Sequence, residues 1–280
     1  MIKTISYWSV QGGLEGTRPI NEALADAKSA GFAGLELAIA ASGVLTPQTD
    51  QATCQRYRQE AERQGVIVQT LANGMTWGGS PTDPDESVRK KAVADAKASL
   101  QRAAWLGCQA MLYVPGAVKI PWEPKYGPVR YDLAHKWALE GARELAEAAE
   151  KFSVDLCVEN VWNGLMYSPL ELAKFIDDIG SRRVGVYFDV GNMMGLHQHP
   201  PDWIKILGDR IKRIHIKDFD SAKPGMAGFV DLLAGNVPWA QVMKELRALK
   251  YDKTIVAEMM PYDPTLLQRT STAMDKILAM

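Results

Sequence analysis

Four residues in the second half of the chain are of types that bind metals and move protons: Glu159, Asp189, His215 and Glu258. They are spaced by 30, 26 and 43 residues, and each lies at the end of a short apolar run: VDLCVEN, VGVYFDV, IKRIHIKD and TIVAEMM. Burying a carboxylate is costly unless it is paired or coordinates a cation. One Glu or Asp at such a point is more simply a helix cap or a surface ion pair, and one His a hydrogen-bonded core residue. Four at one register point to a shared site. Three carboxylates and one imidazole make a hard, oxygen-rich set suited to a divalent cation, Mn²⁺ foremost, with Mg²⁺, Co²⁺ and Zn²⁺ also compatible.

Something must bring these four together. Eight apolar runs punctuate the chain, at 4–10, 34–39, 66–73, 110–116, 154–160, 184–190, 211–218 and 254–260. Each is rich in Val, Ile, Leu or aromatic residues and bounded by turn formers, as expected of strands. Their near-continuous apolarity fits parallel strands covered on both faces. Between them lie helix-like segments at 19–31, 46–65, 84–107, 129–152, 168–180, 201–209, 238–250 and 263–278, with Ser, Thr, Asp or Pro starts and frequent Gly stops. Thr46 is the expected cap of the second. Eight strand–helix units predict an α/β fold, a (β/α)8 TIM barrel forming a single domain over residues 1–280. The alternative, a doubly wound sheet, calls for a glycine-rich phosphate turn after an early strand, and neither common form occurs. In a barrel the C-terminal strand ends line the active site, so the four candidates fall on adjacent staves and converge.

Composition narrows the partners. A formal net charge of −1 leaves no basic field for nucleic acid. No apolar run is long enough to span a membrane, and MIKTISYWSV lacks the h-region of a signal peptide. Cys54, Cys108 and Cys157 follow no metal or redox spacing and read as reduced thiols, so a cytoplasmic protein is expected.

The stretches VENVWN, YFDVGN, RIHIKDFD and VAEM resemble the strand-end motifs of the sugar phosphate isomerase/epimerase family with the xylose-isomerase-like barrel. Its members include ketose 3-epimerases, pentulose-phosphate 3-epimerases, hydroxypyruvate isomerases and inosose dehydratases. The likeness covers essentially the whole chain, with its specific motifs between Val158 and Glu258. It implies that Glu159, Asp189, His215 and Glu258 are the metal ligands. In the epimerase branch it further implies that Glu159 and Glu258 are the acid/base pair. The expected partner is a small sugar or sugar phosphate. Barrels of this kind often pair, so a dimer or tetramer stays open.

The chemistry has its own logic. A proton α to a carbonyl is hard to remove at neutral pH, and a divalent ion stabilises the enediolate that results. Two carboxylates flanking a sugar can take a proton from one face and return one to the other, inverting the carbon. One group doing both jobs gives aldose–ketose isomerisation. Glu159 and Glu258 are three staves apart, far enough to flank a substrate, and Asp189 and His215 lie between them beneath the metal.

Around this centre, Lys217 shares a strand face with His215 and can reach a substrate oxygen or phosphate. Asn192, Trp162 and Trp8 are further candidate substrate contacts, with Glu36, Asn73 and Tyr113 at the ends of the second to fourth strands. Trp77 and Trp122 are possible walls for a sugar ring. Residues 219–239, with Gly225, Gly228 and Gly235, read as a lid carrying Lys223. His197 and His199 read as part of a loop at the pocket rim.

The chain departs from ketose 3-epimerases at three points. Asn192 stands where they have a substrate-binding histidine, no arginine follows His215 within IKDFDSAKPG, and Leu165 stands near the place of a further glutamate. Dehydration or isomerisation of keto-inositols, and hydroxypyruvate isomerisation, are alternatives on the same metal site. A non-catalytic sugar-binding barrel is an alternative of another class. Nuclease chemistry on this fold needs a histidine-rich zinc cluster, and this chain has four histidines in all.

Overall fold

The structure is a computed structural model describing residues 1–280. Its centre is a closed barrel of eight parallel strands: β1 (Ile2–Ser6), β2 (Gly34–Ile39), β3 (Thr70–Asn73), β4 (Ala110–Tyr113), β5 (Asp155–Glu159), β6 (Val184–Asp189), β7 (Ile211–Ile216) and β10 (Thr254–Ala257). β1 closes the ring by pairing with both β2 and β10. Two-residue strands β8 (Asp218–Phe219) and β9 (Phe229–Val230) form a separate antiparallel ribbon after β7. No helix is long and apolar enough to cross a membrane.

The helices are α1 (Ile20–Ser29), α2 (Gln51–Gln64), α3 (Glu86–Leu106), α4 (Tyr131–Phe152), α5 (Pro169–Ile179), α6 (Val190–Met194), α7 (Pro200–Leu207), α8 (Trp239–Ala248) and α9 (Leu266–Ala279). Asp85 and Ser168 cap α3 and α5 by accepting a backbone N–H, and left-handed Gly107 and Gly180 stop them. The α2 cap is Asp50, whose carboxylate accepts the Thr53 N–H. Thr46 instead ties a turn with Thr49. A carboxylate at that position satisfies an N–H of the first turn that has no partner within the helix, and residues 46–50 are left as connection.

The ladders are shorter than the apolar runs that encode them. In the third run only Thr70–Asn73 is strand, and Ile67 makes one isolated bridge to Gly34. Tyr7–Ser9 turn into a 3-10 helix, and the fourth and eighth strands end at Tyr113 and Ala257. The apolar residues beyond these ends build the mouth of the barrel. α6 is an addition to the eight helix-like segments: the Asp189 carboxylate accepts the Asn192 N–H at 2.7 Å and starts a helical turn directly after β6.

The main core lies between the barrel's outer face and the helices. A smaller cluster inside the barrel contains Ala110, Leu112, Cys157 and Tyr187. β4 shows the alternation that separates them: Ala110 and Leu112 point in, while Met111 and Tyr113 join the outer core. On β7 the same period places Arg213 and His215 on the interior face. Arg213 is buried and donates to the Gln109 side chain at 3.1 Å.

Candidate metal centre

The strand register brings the four sequence candidates together. Asp189, the last residue of β6, lies directly opposite His215 on β7. Glu159 closes β5, and Glu258 follows β10, its N–H donated to the Ile216 carbonyl at 3.2 Å. One ligand-type atom from each of Glu159, Asp189, His215 and Glu258 lies within 4.8 Å of the others, and all four residues are buried.

His215 is held from behind. Its Nε2 is 2.7 Å from Glu36 Oε1, and the Tyr187 hydroxyl donates to the other Glu36 oxygen. Burial and Glu36 together push the Tyr187 hydroxyl well above its ordinary pKa, so it remains a donor. A carboxylate behind an imidazole fixes the ring and turns its other nitrogen forward. That nitrogen, Nδ1, lies 2.8 Å from Glu258 Oε2 and 3.5 Å from Glu159 Oε1. It is fully buried, yet has no partner in hydrogen-bonding geometry. An orphaned nitrogen ringed by carboxylate oxygens matches the donor set of a divalent cation. The residues present therefore fit a metal.

Lys217 enters the same cluster. Its Nζ is 2.7 Å from Asp189 Oδ2 and 2.6 Å from Glu258 Oε2. These neighbours set the charges. Burial lowers the pKa of His215 and Lys217, but the surrounding carboxylates outweigh it and raise both. Glu159 is pushed up to about 7 by burial, with His215 and Lys217 pulling the other way. For Glu258 burial also raises the pKa, but Lys217 and His215 prevail and bring it down to about 2.

The frame around the centre is built from residues that carry no ligand. Asn160 bridges β5 and β6: its amide donates to the Asp189 carbonyl at 2.7 Å and accepts the Asp189 N–H at 2.8 Å. Asn192 is buried and donates to the Asn160 carbonyl, so its amide nitrogen braces the strand ends. Its own carbonyl accepts the Trp162 indole N–H at 2.7 Å. The Trp162 ring packs on Phe219 and Phe229. On the far side of the mouth Trp8 and Trp77 both lie against Gly74, where a Cβ would stand 3.1 Å from the Trp8 ring. Trp77 meets Trp122 edge to face at 4.8 Å.

The 219–239 excursion is tied at its neck. Asp218 is fully buried and accepts the backbone N–H groups of Phe219, Leu233 and Val237 and the Trp239 indole N–H, at 2.8 to 3.2 Å. Lys223 is exposed on it and pairs with Asp220 at 3.4 Å. His199 is half exposed and pairs with Asp202 at the start of α7.

Two expected substrate contacts stand away from the mouth. Glu36 is mid-strand and fully buried, with its carboxylate taken up by His215 and Tyr187. Tyr113 points outward to α4, its hydroxyl near the place a Gly141 Cβ would occupy. Asn73 is buried and accepts the Met75 N–H, tying the turn after β3. The sequence reading missed the roles of Asn160 and Asp218. A signal existed: each directly follows a residue singled out for chemistry, Glu159 and Lys217.

Residues 24–277 match the family model described as xylose isomerase-like TIM barrel. The chain belongs to that family. A D-psicose 3-epimerase of Enterocloster bolteae is 31% identical over 43% of this chain and 38% of its own length. The match thus spans well under half of that relative. A putative L-ribulose-5-phosphate 3-epimerase of Escherichia coli is 26% identical over 85% of this chain and 82% of its own. Among solved structures, the D-psicose 3-epimerase of Clostridium cellulolyticum H10 with D-tagatose superposes with a TM-score of 0.82. It covers 99% of both chains at 18% identity, a likeness of fold. This chain therefore presents a xylose isomerase-like barrel with a buried Glu/Asp/His cluster at its mouth.

Proposed function

We propose that the chain is a divalent-metal-dependent isomerase that inverts a carbon next to a carbonyl, with 3-epimerisation of a ketose or keto-sugar as the leading reaction. The observation that carries this is the pair of buried glutamates, Glu159 and Glu258. Both are beside His215 Nδ1, and their surroundings drive their proton affinities apart. Two carboxyl groups with separated affinities are what an acid/base pair requires. The two related 3-epimerases support the choice of reaction.

Glu159, Asp189, His215 and Glu258 would hold the ion, with Mn²⁺ the first candidate. When bound, the ion supplies Lewis-acid polarisation of the substrate carbonyl and charge balance for the enediolate. The chain's own residues do the rest. Glu258 and Glu159 are the acid/base pair on either side of the sugar, one taking the proton next to the carbonyl and the other returning a proton to the opposite face. Glu36 keeps the His215 ring turned forward. The tryptophans at the mouth offer flat apolar faces to the sugar and shield the proton transfers from water. Three buried free cysteines suit a reducing compartment, and a cytoplasmic setting is part of the proposal.

Solvent-deuterium exchange followed by NMR, across free and phosphorylated ketoses with added Mn²⁺, tests this reading. Incorporation at C3 is expected. Incorporation at C1 or C2 would replace epimerisation with isomerisation, loss of water would indicate a dehydratase, and no exchange on any sugar would overturn the assignment.

A further inference from the structure

Asp189 has two carboxylate oxygens, and neither is free. Oδ1 accepts the Asn192 N–H that starts α6, which leaves Oδ2 as the oxygen without a backbone donor. Lys217 Nζ sits on Oδ2 at 2.7 Å. The same ammonium is 2.6 Å from Glu258 Oε2, the oxygen that also faces His215 Nδ1. Two of the four metal-ligand candidates therefore present their oxygens to a cation the protein carries itself. The placement is built in. A Cβ at Gly191 would lie 2.6 Å from the Lys217 Cβ, so the residue two after Asp189 has to lack a side chain for Lys217 to pass. The Lys217 side chain is only 12% exposed, and water cannot substitute freely for its partners.

We infer that Lys217 is an internal competitor of the metal: its ammonium neutralises the carboxylate cluster when no ion is bound and has to leave Asp189 and Glu258 when one is. The inference rests on the metal-site reading above. It follows from charge and space: one carboxylate oxygen does not serve an ammonium at hydrogen-bond distance and a divalent ion at coordination distance without the two cations repelling at close range. A binding-competent state that is only fractionally populated weakens apparent affinity by that fraction. Each charge-assisted bond that must be given up adds to the bias. Lys217 therefore tunes metal affinity downward and balances the charge of the metal-free cluster, a role separate from any contact it makes with substrate.

Isothermal titration of the metal-free protein with Mn²⁺ measures this directly. Lys217→Met keeps the length and removes the charge, and is expected to bind Mn²⁺ at least about tenfold more tightly than the parent. Lys217→Arg keeps the charge and is expected to show no such gain. Equal or weaker binding by the Met variant would overturn the inference. Absence of Mn²⁺ binding by every form would overturn the metal reading itself, and the inference with it. A second measurement covers the case in which the Met variant fails to fold. In the unaltered protein with ¹⁵N-labelled lysine, the ammonium held by Asp189 and Glu258 is expected to give a protected NMR signal that Mg²⁺ shifts or abolishes. A signal unmoved at saturating Mg²⁺ would overturn the inference.

Discussion

Glu159 and Glu258 are the same side chain at the same mouth of the barrel, both buried and both beside His215 Nδ1. Their proton affinities nevertheless part widely, to about 7 and about 2. The difference lies in the third neighbour. Lys217 makes a direct 2.6 Å bond to Glu258, whereas Glu159 has no such bond and its burial is less fully compensated. Position on the ring, rather than residue type or depth, therefore assigns one glutamate to be a standing carboxylate and leaves the other poised near neutrality.

The widest test of this contrast is activity. Glu159→Gln and Glu258→Gln are each expected to lower kcat/KM by about 10²- to 10⁴-fold, the usual worth of a proton-transfer group. Steady-state kinetics on the substrate found by deuterium exchange would measure it. Undiminished turnover in both variants would overturn the acid/base assignment of the two glutamates.

Next in size is Glu36→Gln. A glutamine still fills the space but holds the His215 ring less firmly. Mn²⁺ affinity by titration is expected to fall about 10- to 100-fold. An unchanged affinity would mean that the cluster holds His215 without help from behind.

Smaller effects of opposite sign are expected in the melting temperature of the metal-free protein at pH 8. Glu258 has its pKa lowered by folding. It contributes stability above the ordinary glutamate value, and that contribution is lost as the pH falls toward 2. Glu258→Gln removes it, and Tm is expected to drop by a few degrees. Glu159 has its pKa raised by folding, so its ionisation opposes folding as pH rises from the ordinary value through about 7. Glu159→Gln relieves that burden, and Tm is expected to hold or rise. Parallel drops in calorimetry would break the contrast.

The finest test is the pH dependence of metal binding. The proton on Glu159 has to leave before its carboxylate can coordinate. Mn²⁺ affinity is therefore expected to climb between pH 6 and pH 7 by up to about tenfold, and to climb less steeply in Glu159→Gln.

The four ligand candidates were legible because residue type and barrel period coincide: each lies within one residue of a strand end, and they recur about once per strand–helix unit. The rest depends on relations between strands that no single run records. Glu36 reads as a strand end, yet β2 continues to Ile39 and leaves it a layer below the mouth, behind His215. Tyr113 does end its strand, but the alternation of β4 turns it outward. Lys217 reads as facing substrate, and only the register of β6 against β7 brings it to Asp189. The short α6 was hidden because one carboxylate bond starts it, and its five residues show no periodicity.

The knot at Asp218 has a consequence for redesign. Four donors from Phe219, Leu233, Val237 and Trp239 meet on one carboxylate, so the excursion leaves and re-enters the barrel at a single fastened neck. Beyond the neck, Phe229 is still packed on Trp162, but the stretch from Ser221 to Ala227 is exposed. Changes of length or composition in that exposed tip are expected to leave the strand ends that carry the glutamates where they are.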